Sequence, residues 1–201
     1  MTADETNPTS DSLTRCGWAS SLRSRRYHDL EWGVPLHDDR ALLEMLILEG
    51  AQAGLSWETI LKKRRGYQEA FDNFDANKIA LYKQDKIDQL LANPGVVRNR
   101  LKIAAAVQNA RSFLAIRDSY GTFDIYIWGF IGGSPRCNNR LPMDEVPAHT
   151  HQSDAMSKDL KARGFKFVGT TICYAFMQAT GMVNDHTIDC YRHSQIASDI
   201  R

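Results

Sequence analysis

The stretch Leu42–Trp57, LLEMLILEGAQAGLSW, places an acid where an acid is costly. Leu42, Met45, Leu46, Glu49 and Ala53 fall at i, i+3, i+4, i+7 and i+11, one face of a 3.6-residue helix. Glu49 therefore lies on the stripe that should face the core. A buried carboxylate without a partner is strongly destabilised or shifts its pKa, so a charge at such a position normally answers another group. Two readings stand: a partner inside the protein, such as an arginine or a set of backbone N–H groups, or a ligand. Spacing alone favours the internal ion pair, the commoner role of an inward acid.

Cysteine and histidine raise a metal question. Cys16 and His28 lie near one end of the chain, and His186 and Cys190 stand at i and i+4 near the other. Two thiolates and two imidazoles fill the tetrahedral shell of a structural zinc and leave no position for an activated water. Such an ion would staple the N-terminal segment to the C-terminal one. The pairs lack zinc-finger spacings, so ordinary buried cysteines and histidines explain them equally well. Cys137, in a loop, and Cys173, on an apolar helix, are weaker ligand candidates.

A third motif, Leu90–Lys102 (LLANPGVVRNRLK), sets Asn93-Pro94-Gly95 and two valines between helices. A glycine hairpin that turns backbone N–H groups outward beside a helix N-terminus suits a phosphate, and Arg98 and Arg100 can add charge-assisted contacts. A plain helix-loop-helix corner has the same pattern. The segment Arg15–Pro35 carries Trp18, Tyr27, His28 and Trp32 among arginines with little apolar periodicity. These aromatics are read either as a wall packed over something specific or as caps on the core.

The elements that must hold these residues are helical. Asp38 or Asp39 caps a helix running to about Gln52, and Gly54 breaks it. Ser56 caps the next, Trp57 to about Phe71, whose Lys62–Arg65 run reads as a solvated face. Asp75 and Asp85 start short helices, and a long helix runs to about Ser119. Thr122 caps an aromatic helix over 123–131. Ser134–Gln152 reads as a surface loop, Ser153 as the cap of a helix over 154–163, and Thr170–Thr180 as an apolar helix. With no strand pattern longer than a few residues, the expected fold is all-α, short helices in an orthogonal array.

Composition limits the function. The chain has 201 residues, 43% apolar and 24% charged, enough for one domain with a large core. No apolar run approaches a membrane span, and the first dozen residues lack the basic and apolar regions of a secretory signal. They read as a tail (1–12) before one domain (13–194), with a short tail after it (195–201). Four cysteines without a signal point to a reduced, cytoplasmic setting rather than a disulfide framework. Asp4, Glu5 and Asp11 account for −3 of a formal net charge of +1, which leaves the rest of the chain at +4. That mild basicity permits a polyanionic partner without demanding one.

Taken together, the blocks Arg15-Cys16-Gly17-Trp18, Tyr27-His28-Asp29, Glu31-Trp32-Gly33, Leu48-Glu49-Gly50, Gln52–Trp57, Leu61-Lys62-Lys63, Arg163–Gly169, Asn184-Asp185-His186 and Cys190 resemble the 3-methyladenine DNA glycosylase I family. They run from about Arg15 to Cys190. The resemblance implies a compact α-helical domain of the helix-hairpin-helix glycosylases, with its hairpin near Asn93–Val97. It implies one structural zinc on Cys16, His28, His186 and Cys190. The implied activity is excision of 3-methyladenine from alkylated double-stranded DNA by a monomer, leaving an abasic site. Glu49 would read the flipped base, with Tyr27, Trp32, Trp57 and Trp18 as the pocket. Leu55 would act as the wedge beside Gly54, and Gly95, Val97 and Arg98 would lie against the backbone. Family members lack the catalytic Asp of their superfamily relatives, and no candidate for it stands out here. In one departure, Ser24 occupies the position of a family Tyr, three residues before Tyr-His, in a segment one residue shorter. A pocket aromatic is then absent or supplied from elsewhere, while Arg23, Arg25 and Arg26 would suit phosphate.

Overall fold

In a computed structural model that describes residues 13–140 and 146–199, the helix carrying Glu49 is the axis of the molecule. This helix, α2 (Asp39–Gln52), is capped by the Asp38 carboxylate, which accepts the Ala41 N–H at 2.9 Å. Leu42, Leu43, Met45, Leu46, Ile47, Leu48 and Ala51 are all buried, so it is covered on every side rather than along one stripe. Around it pack α3 (Trp57–Ala70), α6 (Arg100–Tyr120), α7 (Phe123–Trp128) and α9 (Thr170–Ala179). Ser56, Asn99 and Thr122 cap α3, α6 and α7 through their side chains. Short helices α4 (Ala76–Ile79) and α5 (Gln84–Ala92) lie against α6, and α8 (His151–Ala162) against α9. No helix among the described residues is long and apolar enough to cross a membrane.

Several boundaries differ from the sequence reading, each for a local reason. Leu22–Leu30, in the segment with little apolar periodicity, is a helix, α1, started by a capping box in which the hydroxyls of Ser21 and Ser24 each satisfy the other's backbone. Thr150, not Ser153, caps α8; Ser153 is the reciprocal third residue of that box, so His151 and Gln152 are helical rather than loop. Lys83, not Asp85, precedes α5. The aromatic helix ends at Trp128 and tightens into a 3-10 turn, Gly129–Ile131. Within the expected loop, β1 (Arg136–Cys137) pairs in parallel with β2 (Val183–Asn184). Residues 195–199, read as a tail, continue α10 (Tyr191–Asp199) and bury Ile196. Residues 1–12 lie outside those described.

The hairpin after α5 is held by close backbone approach. A Cβ on Gly66 of α3 would lie 2.5 Å from the Gly95 carbonyl oxygen, a contact that no side chain rotation relieves. Gly66→Ala gains helix propensity yet must push the hairpin away. We expect it to cost about 2–3 kcal/mol, seen as a melting temperature lower by about 5–10 °C. An unchanged melting temperature would show that the two backbones are free to separate.

Candidate active site

Glu49 opens on an aromatic cavity of about 310 Å³, lined also by Trp18, Tyr27, Trp32, Gln52, Trp57, Val146, Ala175 and Gln178. Several elements build it: the turns before and after α1 give Trp18 and Trp32, α1 gives Tyr27, α2 gives Glu49 and Gln52, the first residue of α3 is Trp57, and α9 gives Ala175 and Gln178. The rings brace one another. Trp18 meets Trp32 edge-on at 5.0 Å, and Tyr27 tilts against Trp57 at 5.3 Å. All five site residues expected from sequence around the base (Trp18, Tyr27, Trp32, Glu49 and Trp57) therefore line one space.

Three of its polar groups are unanswered among the described residues. Glu49 is 4% exposed, and no cation or N–H among the described residues reaches its carboxylate. The internal ion pair that spacing favoured is absent there. Burial pushes the Glu49 carboxyl up to about 8, so an empty pocket holds largely the neutral acid at pH 7. The Tyr27 hydroxyl and the Trp57 indole N–H are buried without a partner as well. Buried polar atoms are normally paired, and three unpaired ones around one cavity mark a place for a ligand with donors and acceptors of its own.

A second opening of about 260 Å³ continues past Glu49, Gln52 and Ala175 to Ala53, Gly54 and Leu55. Gly54 takes φ +77°, which turns the chain out of α2, and Leu55 beyond it is 40% exposed. Lys102, in the first turn of α6, donates to the carbonyls of Ala51 and Ala53 at 2.8 and 2.6 Å. It caps α2 and ties the Leu55 turn to the helix that follows the hairpin. Nothing in the sequence singled Lys102 out, because its partners are main-chain atoms fifty positions away.

At the hairpin the expected outward donors are engaged inside the chain. The Gly95 N–H is held by the Asn93 side chain at 2.7 Å, and the Val97 N–H by the Tyr67 hydroxyl at 3.2 Å. The N–H groups of Arg98, Arg100 and Leu101 have no acceptor among the described residues, so the open donors sit one turn later, at the start of α6. Ser24 is buried in its capping box, with its hydroxyl bonded to the Ser21 backbone. It contributes nothing to the cavity wall, and no aromatic among the described lining residues is new to the sequence reading. Arg23 is bonded to Glu58 at 2.8 Å, and Arg25 and Arg26 are engaged too, so none of these is a free phosphate ligand.

Behind the pocket, donor atoms of Cys16, His28, His186 and Cys190 lie within 4.8 Å of one another, all buried, and could hold a metal ion. His28 Nε2 and His186 Nδ1 are 3.1 Å apart. Cys190 Sγ is 3.4 Å from the first and 3.5 Å from the second, and Cys16 Sγ is 3.5 Å from His186 Nδ1. The outer nitrogens are occupied: His28 Nδ1 by Asp29 at 2.8 Å, His186 Nε2 by the Trp32 carbonyl at 3.0 Å. His186 and Cys190 face each other across a turn, not a helix. Gly33, at φ +80°, lets the chain pass His186, where a Cβ would sit 3.1 Å from the ring.

Comparison with known proteins meets this geometry from outside. The family described as Methyladenine glycosylase matches residues 18–193. The chain is 47% identical to DNA-3-methyladenine glycosylase 1 of Escherichia coli, covering 89% of this chain and 96% of that one. It is likewise 47% identical to the DNA-3-methyladenine glycosylase of Haemophilus influenzae, over 88% and 96%. Among solved structures, a crystal structure of 3-methyladenine DNA glycosylase I superposes with a TM-score of 0.87 at 49% identity, over 89% of this chain and 98% of that one. The Staphylococcus aureus enzyme, studied for its recognition of 3-methyladenine, superposes at 0.86 with 36% identity, over 89% and 96%. With an aromatic cavity around an unpaired acid, a Cys/His cluster behind it and relatives matched along almost their whole length, the chain belongs to the methyladenine glycosylase family.

Proposed function

We propose that this protein removes 3-methyladenine from alkylated double-stranded DNA by hydrolysing the N-glycosidic bond, leaving an abasic site for base excision repair. The observation that carries the reading is the unpaired Glu49 carboxyl, sharing its cavity with the unpaired Tyr27 hydroxyl and Trp57 N–H. A base methylated at N3 carries positive charge while attached to the sugar, so it is already a good leaving group. The protein must extract it and hold it. Aromatic walls attract a cation once water is excluded. Entry of that cation draws the proton from Glu49, and the carboxylate then accepts from the exocyclic amine and discriminates against bases that lack a donor there. Water adds to C1′ as the C1′–N9 bond breaks, the bond's electron pair neutralises the departing base, and the added water loses its surplus proton to solvent. Leu55, exposed on its turn, fills the gap in the stack. Arg98 and the open N–H groups at the start of α6 hold the backbone, on the hairpin that Gly95 and Val97 shape.

One zinc per chain on Cys16, His28, His186 and Cys190 completes the assignment. Zn–N near about 2.0–2.1 Å and Zn–S near about 2.3 Å give tetrahedral edges of roughly 3.3–3.8 Å. Four of the cluster's six edges, at 3.1–3.5 Å, lie close to that set, and all its donor atoms are within 4.8 Å of one another. His28–Asp29 is the outer pairing that orients a metal-bound imidazole. Such an ion is structural: it would join the turn before α1 to the segment before α10, within one glycosylase domain that includes α10, in a cytoplasmic monomer.

The deciding experiment incubates the protein with N-methylated duplex DNA and separates released bases by chromatography. Release of 3-methyladenine with matching abasic sites is expected. Tight binding to the same duplex with no base released would instead identify a damage-binding module.

A further inference from the structure

Gln178 lines the same cavity as Glu49, three residues beyond Ala175 on α9. One end of its amide is committed. Nε2 donates to Asp185 Oδ2 at 2.9 Å. Asp185 is 1% exposed and surrounded by donors: the Tyr174 hydroxyl at 2.5 Å on the same oxygen, Asn138 Nδ2 at 2.7 Å on the other, and the Arg140 guanidinium at 3.4 Å. A carboxylate in that setting only accepts. Flipping the amide would set its oxygen against a carboxylate oxygen, two acceptors facing each other, so the network assigns the nitrogen to Asp185. The amide oxygen is left turned away from Asp185, with no hydrogen bond from any described residue. Because Gln178 lines the cavity, that oxygen is the amide atom left to serve it.

We propose that Gln178 is a second base-reading residue, whose amide oxygen accepts from the six-amino group of the flipped purine while Asp185 keeps it from turning. This rests on the glycosylase reading above and adds to it. Two acceptors, Glu49 and Gln178, then face the two N–H bonds of one amine. A purine carrying a carbonyl at that position presents an acceptor to both and is rejected, since a site built around a donor leaves its own groups unpaired when the donor is missing. Asp185 is a positioning residue in this account, because it touches no substrate.

The test measures binding of two free bases by tryptophan fluorescence: 3-methyladenine, and 3-methylhypoxanthine, which differs by a carbonyl in place of the amine. The unaltered protein should favour 3-methyladenine by at least about tenfold; equal affinities would overturn the proposal without any variant. Gln178→Met removes the acceptor and should weaken 3-methyladenine about tenfold while leaving 3-methylhypoxanthine level or tighter. Gln178→Lys keeps a donor for Asp185 without an acceptor and should lose the preference too, which covers the case in which the Met variant is poorly folded. Retained selectivity in either folded variant would remove Gln178 from base reading. If the unaltered protein selects the amine yet releases no base from methylated DNA, the excision reading fails alone.

Discussion

Glu49→Gln is expected to slow base excision by roughly 10²–10³-fold, the loss of one or two charge-assisted hydrogen bonds, and to raise the melting temperature. The second half follows from the first. Glu49 is a buried acid without a partner in the described structure, so it opposes folding for as long as it stands ready for a ligand. Its carboxyl is raised from 4.5 to about 8. Such a group favours the fold most fully below its unfolded pKa, and that contribution is lost as pH rises through the folded pKa. The unaltered protein should therefore lose stability relative to Glu49→Gln between pH 4.5 and 8, with no further change above 8. At about 1.36 kcal/mol per unit the full difference is at most roughly 4–5 kcal/mol. Calorimetry across that range, beside single-turnover excision, reads both effects. A Glu49→Gln protein that melts lower than its parent at pH 8 would mean that the carboxylate has a structural partner after all. The same pKa should appear in catalysis: kcat/KM reports the free enzyme, so it should climb as pH approaches about 8 and lose that limb in the variant.

The second large effect concerns the metal. Purified protein is expected to carry about one equivalent of zinc, and stripping it should lower the melting temperature by well over about 10 °C, since a structural zinc supplies folding free energy outright. Cys190→Ser should do the same. The damage should reach the base pocket, because the Trp32 carbonyl accepts from His186 at 3.0 Å and the Trp18 ring packs on His28 at 5.4 Å. Binding of free 3-methyladenine should therefore fall with the metal, though the zinc touches no substrate. Less than half an equivalent by elemental analysis, with melting indifferent to chelators, would leave the cluster as an ordinary buried Cys/His network.

Much of the frame was legible because its causes are local. The Asp38, Ser56 and Thr122 caps each act on an N–H three residues away; residue type and position identify Ser56 and Thr122 and narrow the first cap to Asp38 or Asp39. Two of the boundaries that differ are capping boxes, started by Ser21 and Thr150, where a serine hydroxyl takes the place more often held by Glu or Gln at the third position. The hairpin was placed correctly as an element, yet its outward N–H groups were not, since Tyr67 comes from thirty positions earlier.

By itself the sequence determined that the chain is helical, that Glu49 lies on an inward stripe, and that two thiols and two imidazoles were available to a metal. These follow from periodicity and residue chemistry within single elements. Only the tertiary structure decided that Glu49 has no partner among the described residues, that Cys16 meets His186 across 170 positions, and that Asp185 fixes which end of Gln178 is free. A residue's type states what it can bind. Whether that capacity is spent inside the protein or left for a ligand depends on the groups that other elements bring within about 3 Å, and no local pattern records them.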